Sequence, residues 1–311
     1  MKVLVTGGTG FVGRPTLGFL ATAGHGMRVA LRSPHSGLTH ESVVVGELGD
    51  STNWRPALDG IDAVVHLAAR VHVMRDIAED AEAFHRANTE GTLRLAHAAV
   101  EAGARRFVFI STVKVNGEAT TDRRFDSGDA PNAVDLYSRS KLEAEVGLRQ
   151  IPGLEPVIIR PPLVYGPGAK GNLARFCRLA MSGLPVPFKA IHNRRDLVGV
   201  ANLASLIERC LTHPAAPGRV FLVSDGEPLS TPQLYGMICE SLGCPARTFS
   251  IPVGVMRMLA RPIGMLGEVN RLTQSLELDI TKTRELLGWR PSVAPAVGIA
   301  EMARVFRAGV R

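Results

Sequence analysis

Lys2-Val3-Leu4-Val5-Thr6-Gly7-Gly8-Thr9-Gly10-Phe11-Val12-Gly13 stands at the start of the chain, and its reading decides the fold. A β-branched run, Val3–Thr6, passes straight into glycines at positions 7, 8, 10 and 13, and a helical pattern follows. The spacing satisfies G-x-G-x-x-G on Gly8, Gly10 and Gly13, and G-x-x-G-x-x-G on Gly7, Gly10 and Gly13. Glycine meets three needs here: a tight turn, close approach of backbone to a pyrophosphate, and close packing of helix on strand. The helix start around Phe11, Val12 and Gly13 then aims free amides and a partial positive charge at the diphosphate. Between a strand and a helix, this loop predicts a dinucleotide site at the edge of a parallel α/β sheet.

Working outward, short β-branched runs alternate with longer helical patterns. Strands are expected at Val3–Thr6, Arg28–Leu31, Ser42–Val45, Ala63–Leu67, Phe107–Ser111 and Val157–Arg160, with Arg219–Val223 rejoining the sheet later. One intervening helix, Phe84–Ala102, places Ala87, Leu93, Leu95, Ala98 and Ala99 on or near one face. Such alternation predicts βαβ units and a doubly wound parallel sheet covered by helices on both faces. From about Pro167 the texture changes to Pro- and Gly-rich segments with helices at Asn172–Ser182, Leu203–Thr212 and Pro232–Leu242. The expected division is a dinucleotide domain over 1–166, rejoined by 196–224, and a smaller, mainly helical C-terminal substrate domain over 167–195 and 225–311.

The second strand ends in Leu31-Arg32-Ser33. A carboxylate there would accept from the ribose 2′-hydroxyl of NAD, whereas an Arg suits the 2′-phosphate of NADP. Arg32 therefore favours NADP(H), with NAD(H) the alternative. Glu47 and Asp50 come too late to replace the missing acid, although residues near Leu48 can flank the adenine.

Tyr137 and Lys141 stand at i and i+4, hence on one helix face. A free phenol titrates near ~10, and a neighbouring ammonium and an oxidised nicotinamide both favour its ionised form. Upstream, the Phe107–Ser111 strand leads to Ser111-Thr112, where a hydroxyl can share a substrate oxygen with Tyr137. Composition excludes other classes. The 311 residues are 45% hydrophobic, enough for a large core, and the charge of +7 is scattered with only 5% aromatic residues, unlike a nucleic-acid binder. Cys177, Cys210, Cys239 and Cys244 form no CxxC pair and no zinc-ligand spacing, so no metal is expected. The most apolar late stretch, Ile251–Gly267, is interrupted by Arg257, Arg261 and Pro262 and is too short to span a bilayer. A cytoplasmic protein without a leader is the expectation.

Taken together, the ordered series resembles the extended short-chain dehydrogenase/reductases, and within them the nucleotide-sugar epimerases, dehydratases and reductases. The series comprises the glycine loop, His66-Leu67-Ala68-Ala69, Asn88-Thr89-Glu90-Gly91, Ser111-Thr112, Tyr137 to Lys141, Arg160-Pro161-Pro162-Leu163-Val164-Tyr165-Gly166-Pro167, Arg195-Asp196 and Leu286 to Pro291. The resemblance implies a Rossmann domain, catalytic roles for Thr112, Tyr137 and Lys141, and Leu67, Ala68, Ala69, Asn88, Ser111 and Pro161 beside the cofactor. It also implies a nucleoside diphosphate-sugar in the smaller domain. Gly171-Asn172-Leu173 is similar to an element whose Asn contacts the diphosphate, Arg195 and Arg271 to phosphate-binding arginines, and Pro187-Phe188 to a stretch flanking uracil. A loop around Val71–Arg75 is expected to frame the sugar. One departure is Leu163, where many relatives carry Asn.

The chemistry implied is hydride exchange at a sugar carbon, C4, with Tyr137 moving the proton on its oxygen. Arg32 selects an NADPH-dependent reductase of a UDP-linked 4-keto-6-deoxy-N-acetylhexosamine, of the kind that feeds surface polysaccharides. The alternative is a UDP-sugar 4-epimerase with tightly bound NAD, and a lesser one a non-catalytic NADP-binding redox sensor. A dehydratase is disfavoured because Val113-Lys114 stand where an Asp-Glu pair is usual, and a steroid or flavonoid substrate because Asn172 and Arg195 suit phosphates. The resemblance further implies a homodimer built through the Tyr137 and Phe84–Ala102 helices.

Overall fold

The computed structural model describes residues 1–71 and 78–309. Strands β1 (Lys2–Thr6), β2 (Gly26–Leu31), β3 (Glu41–Val44), β4 (Ala63–His66), β5 (Arg106–Ile110) and β6 (Glu155–Arg160) form most of one sheet. Each begins or ends within a residue or two of the expectation, the range over which strand ends are defined at all. Two strands were not anticipated, β7 (Leu163–Tyr165) and β8 (Leu197–Gly199), which pair with each other in parallel. The last, β9 (Val220–Leu222), joins the main sheet beside β6.

The sheet runs β3-β2-β1-β4-β5-β6-β9, and every neighbouring pair is parallel. Strand order reverses between β1 and β4, and the crevice outside the carboxyl ends at such a switch point is where α/β folds bind ligands. Alternation along the strands explains two-sided burial. Val3, Val5, Val29, Val65, Val108 and Ile159 enter one hydrophobic cluster, while Leu4, Ala30, Val64, Phe107, Phe109 and Ile158 enter the other.

Helix α1 (Gly13–Thr22) covers the first face together with a later helix over Val200–Thr212, through Leu17, Leu20, Leu203, Leu206 and Ile207. The second face is covered by α2 (Arg55–Leu58), then α3 (Ala78–Phe84) continued by a π-helical turn (His85–Glu90) and α4 (Gly91–Glu101), and by α5 (Leu136–Gln150). The expected single helix over Phe84–Ala102 is thus interrupted at its start. The wider turn carries Asn88 and Thr89 toward α5, as π-turns at functional sites often do.

The third cluster belongs to the smaller unit: α6 (Gly171–Ser182), α8 (Thr231–Ser241), α9 (Val253–Ala260), α10 (Leu266–Thr273) and α12 (Pro295–Gly309), while α7 (Val200–Thr212) packs on α1 as described. Within it Phe176 and Phe188 each meet Tyr235 edge to face, at centroid separations of 6.0 and 5.4 Å, and lie tilted to each other at 5.7 Å. The chain then returns. Leu276, Leu278, Ile280, Leu287 and Trp289, on and around α11 (Thr281–Leu287), pack into the first sheet cluster. Among the described residues no helix is long and apolar enough to cross a membrane.

Candidate active site

The carboxyl ends of β1, β4, β5 and β6 lie side by side in the sheet, and several of the expected residues follow directly on them. At β1 the glycine loop is built for tight backbone packing. Gly7 has φ +68°, and a Cβ there would lie 2.7 Å from the Ala68 amide nitrogen. At Gly13 a Cβ would meet the Gly7 carbonyl oxygen at 2.1 Å, so only glycine lets α1 start against the loop. Helix α1 has no side-chain cap and no acidic residue in its first turn, a start suited to an anion. The loop lies against Leu67 and Ala68 at the end of β4, so these expected neighbours of the cofactor do adjoin the glycine turn.

Beneath the loop a buried polar chain fixes β4. Thr92 donates its hydroxyl proton to the Asn88 carbonyl at 2.7 Å. The 2.9 Å contact between Thr92 and His66 Nε2 therefore makes Nε2 the donor, and His66 Nδ1 accepts from Thr6 at 2.7 Å. Burial pushes the His66 imidazole down to about 3, so it is neutral at working pH. Sequence reading quoted His66 but gave it no task; its task is to join β1, β4 and α4.

Asn88 is also committed to the protein. Its Oδ1 accepts from the Arg70 amide at 2.8 Å, and its Nδ2 donates to the Arg70 carbonyl and to Ser140 Oγ at 3.1 and 3.0 Å. It thereby shapes the loop after β4 and ties it to α5.

Strand β5 leads into Ser111 and Thr112. The Ser111 and Val113 amides donate to the Ile159 and Pro161 carbonyls, so Thr112 is clamped alongside the end of β6. Ser111 turns inward and donates to Glu145 at 2.5 Å. Its hydroxyl proton is spent there, which leaves the oxygen only as an acceptor. Glu145 itself accepts two bonds from Arg160, at 2.9 and 2.5 Å, and Arg160 donates a third to Asn116 at 3.0 Å. This fully buried bidentate pair joins α5 to β5 and β6. Glu145 was missed because a lone Glu one turn after Tyr-x-x-x-Lys carries no sequence signal.

Helix α5 starts where Asp135 accepts from the Ser138 amide at 2.7 Å. Tyr137 is half-buried, with its ring edge-on to Phe84 at 6.2 Å. Lys141 is buried, and its Nζ stands over the Phe109 ring, 4.0 Å from its centroid, while Phe109 also stacks with His66. Burial, opposed by the Glu145 carboxylate, brings the Lys141 amine down to about 7. Burial and then the Asp135 charge push the Tyr137 phenol well above its ordinary value. Lys114 offsets part of that charge, because its Nζ meets Asp135 at 2.5 Å and Glu118 at 3.6 Å. Lys114 thus ties the segment after Thr112 to the first turn of the Tyr137 helix.

The expected cofactor-specificity and substrate residues divide. Arg32 is exposed at the end of β2, 3.6 Å from Glu47, and Ser33 beside it is exposed as well. Leu48 is half-buried against α4. Arg195 donates to the Gln274 carbonyl at 3.0 Å, and both burial and the neighbouring Arg271 charge lower its pKa. Arg271, 76 positions further on, is exposed on α10 and paired to Glu268 at 3.2 Å. Asn172 is exposed at the start of α6 and Pro187 half-buried. Leu173 and Phe188 are different. Both side chains lie in the core of the smaller unit, where their apolar character serves packing. The loop expected to frame the sugar, Val71–Arg75, lies beyond Val71 outside the described residues.

The geometry joins a glycine-cradled helix start, a buried ammonium, a phenol and a strand-end hydroxyl, a set suited to a dinucleotide and proton transfer. Comparison agrees. UDP-glucose 4-epimerase of Vibrio cholerae is 39% identical, over 98% of this chain and 95% of its own. The enzyme of the same name from Mycolicibacterium smegmatis is 32% identical over 99% of both. In fold, UDP-glucuronic acid 4-epimerase from Bacillus cereus, solved in complex with NAD, superposes with a TM-score of 0.80 over the whole of both chains at 20% identity. The family profile described as the NAD dependent epimerase/dehydratase family matches residues 3–224, and with relatives of this length and identity the chain belongs to that family.

Proposed function

We propose that the protein is an NADPH-dependent reductase of a UDP-linked 4-keto sugar, of the 4-keto-6-deoxy-N-acetylhexosamine type. The observation that carries this reading is Arg32, which stands exposed at the end of β2 where an NAD enzyme would hold a carboxylate. The nicotinamide cofactor, when bound, supplies the hydride for C4. The chain's own residues do the rest. Phe11, Val12 and Gly13 present amides to the pyrophosphate, and Lys141 donates from its buried position to the adjoining ribose hydroxyls. Tyr137 delivers a proton to the C4 oxygen, and Thr112 hydrogen-bonds the same oxygen and holds it at the phenol. Arg195, Arg271 and Asn172 bind the diphosphate, for which paired cations and an amide are the fitting donors.

A second reading is a UDP-sugar 4-epimerase that keeps NAD bound, and the two relatives of that name at 39% and 32% identity favour it. The residues act in the same roles in both readings, and only the fate of the hydride differs. Steady-state consumption of NADPH against NADH with a UDP-4-keto-6-deoxysugar separates them. The reductase reading expects NADPH to be preferred, and Arg32→Asp to raise the KM for NADPH by roughly tenfold or more while leaving NADH little changed. Equal use of both cofactors by wild type and variant would remove Arg32 from the argument.

A further inference from the structure

The apolar stretch Ile251–Gly267 has no part in the reaction above, yet it carries the densest run of exposed large apolar side chains among the described residues. Val255, Met258, Leu259, Ile263 and Met265 are all exposed, with Met258, Leu259 and Ile263 at 65%, 58% and 67%. Helix α9 buries Met256 in the smaller unit's core, and Ala260 is buried as well. Val255, Met258 and Leu259, at i, i+3 and i+4, share another face and turn it to solvent. Ile263 and Met265 extend the run through the turn at Gly264 into α10. Contiguous apolar surface of this kind marks an interaction site more often than an accident of composition.

Charge indicates the partner. No Asp or Glu occurs between Glu240 and Glu268, and within that interval Arg247, Arg257 and Arg261 are all exposed. Arg257 donates to Thr273 at 3.2 Å, which places its charge over the α9–α10 junction. Aliphatic side chains bordered by arginines, without acids, fit the interfacial zone of an anionic bilayer, where the apolar groups enter the acyl boundary and the cations meet headgroup phosphates. We propose that α9 and the turn leading into α10 dock the protein reversibly on an anionic lipid surface, without spanning it. Because α10 packs on α9 and carries Arg271, the docking face adjoins the diphosphate end of the candidate site. This inference rests on the surface alone and stands apart from the direction of the hydride transfer.

Sedimentation of the full chain with extruded vesicles tests it, using phosphatidylcholine alone and phosphatidylcholine mixed with phosphatidylglycerol. Wild type is expected to co-sediment with the mixed vesicles, to be released by salt, and to stay in solution with phosphatidylcholine. The combined change Met258→Ser, Leu259→Ser and Ile263→Ser should weaken binding roughly tenfold or more while the thermal midpoint and turnover of a soluble substrate hold. Arg261→Glu, which reverses one charge but leaves the apolar face intact, should weaken it as well. Wild type that ignores the mixed vesicles, or a triple variant that binds them equally, overturns the proposal. So does a triple variant that turns a dimer into a monomer, since the face would then belong to a second copy of the chain.

Discussion

Burial favours the neutral form of both Lys141 and Tyr137, and so moves the amine's pKa down and the phenol's up. The Lys141 amine falls from an ordinary 10.5 to about 7 in the folded chain. Between those values the unfolded chain binds the extra proton, so stability rises with pH across the window. Below about 7 both states are protonated and the full cost of burying the cation stands. Without nucleotide, Lys141→Met should therefore melt roughly a few degrees above wild type at pH 7 and below, with the gap closing toward pH 10.5. Differential scanning fluorimetry over a pH series checks this, and a gap independent of pH would refute it. Tyr137→Phe removes the transferable proton while keeping the ring against Phe84, and turnover should fall about 10²–10⁴-fold with little change in the thermal midpoint. Asp135→Asn keeps an acceptor for the Ser138 amide but removes the charge that holds the phenol up, so the phenol's limb of the pH–rate profile should move to lower pH.

At the scale of elements, the site depends on how α5 and the π-turn are held to the strand ends. Asn88→Ala would strand the Arg70 backbone groups and Ser140, and should cost about 1–3 kcal/mol by chemical denaturation. Glu145→Ala leaves the buried Arg160 charge unpaired and should cost about 3–5 kcal/mol, which makes it the more damaging of the two. The elements differ in how legible they were. Strands β1 to β6 could be read because runs such as Val3–Thr6 and Val157–Arg160 are β-branched and bounded by turns, and because a parallel sheet buries both faces. Strands β7 and β8 could not, since three residues are too few for a period of two to register. The π-turn was hidden because its Asn88 and Thr89 take their place from partners on α5, not from local propensity. Phe188 shows the same limit from the other side: nothing in a Pro-Phe pair announces that the ring packs between Phe176 and Tyr235.

Across the whole molecule, parallel pairing sets the carboxyl ends of β1, β4, β5 and β6 side by side, so the glycine loop after β1 and Thr112 after β5 lie at the same edge of the sheet. The returning segment around Leu276 to Trp289 packs on the same sheet, while Arg195 bridges to Leu229 and Leu276. The smaller unit is thereby anchored to the sheet that carries the chemistry, and the fold leaves the direction of hydride transfer to local features such as Arg32. The central claim is that hydride passes from exchangeable NADPH to C4 of a UDP-linked 4-keto sugar. The most direct measurement supplies NADPH deuterated at the transferable position and follows the label by NMR. The account predicts one cofactor oxidised per sugar and deuterium at C4 of the product. No oxidation, together with co-purified NAD and interconversion of UDP-N-acetylglucosamine and UDP-N-acetylgalactosamine, would contradict it.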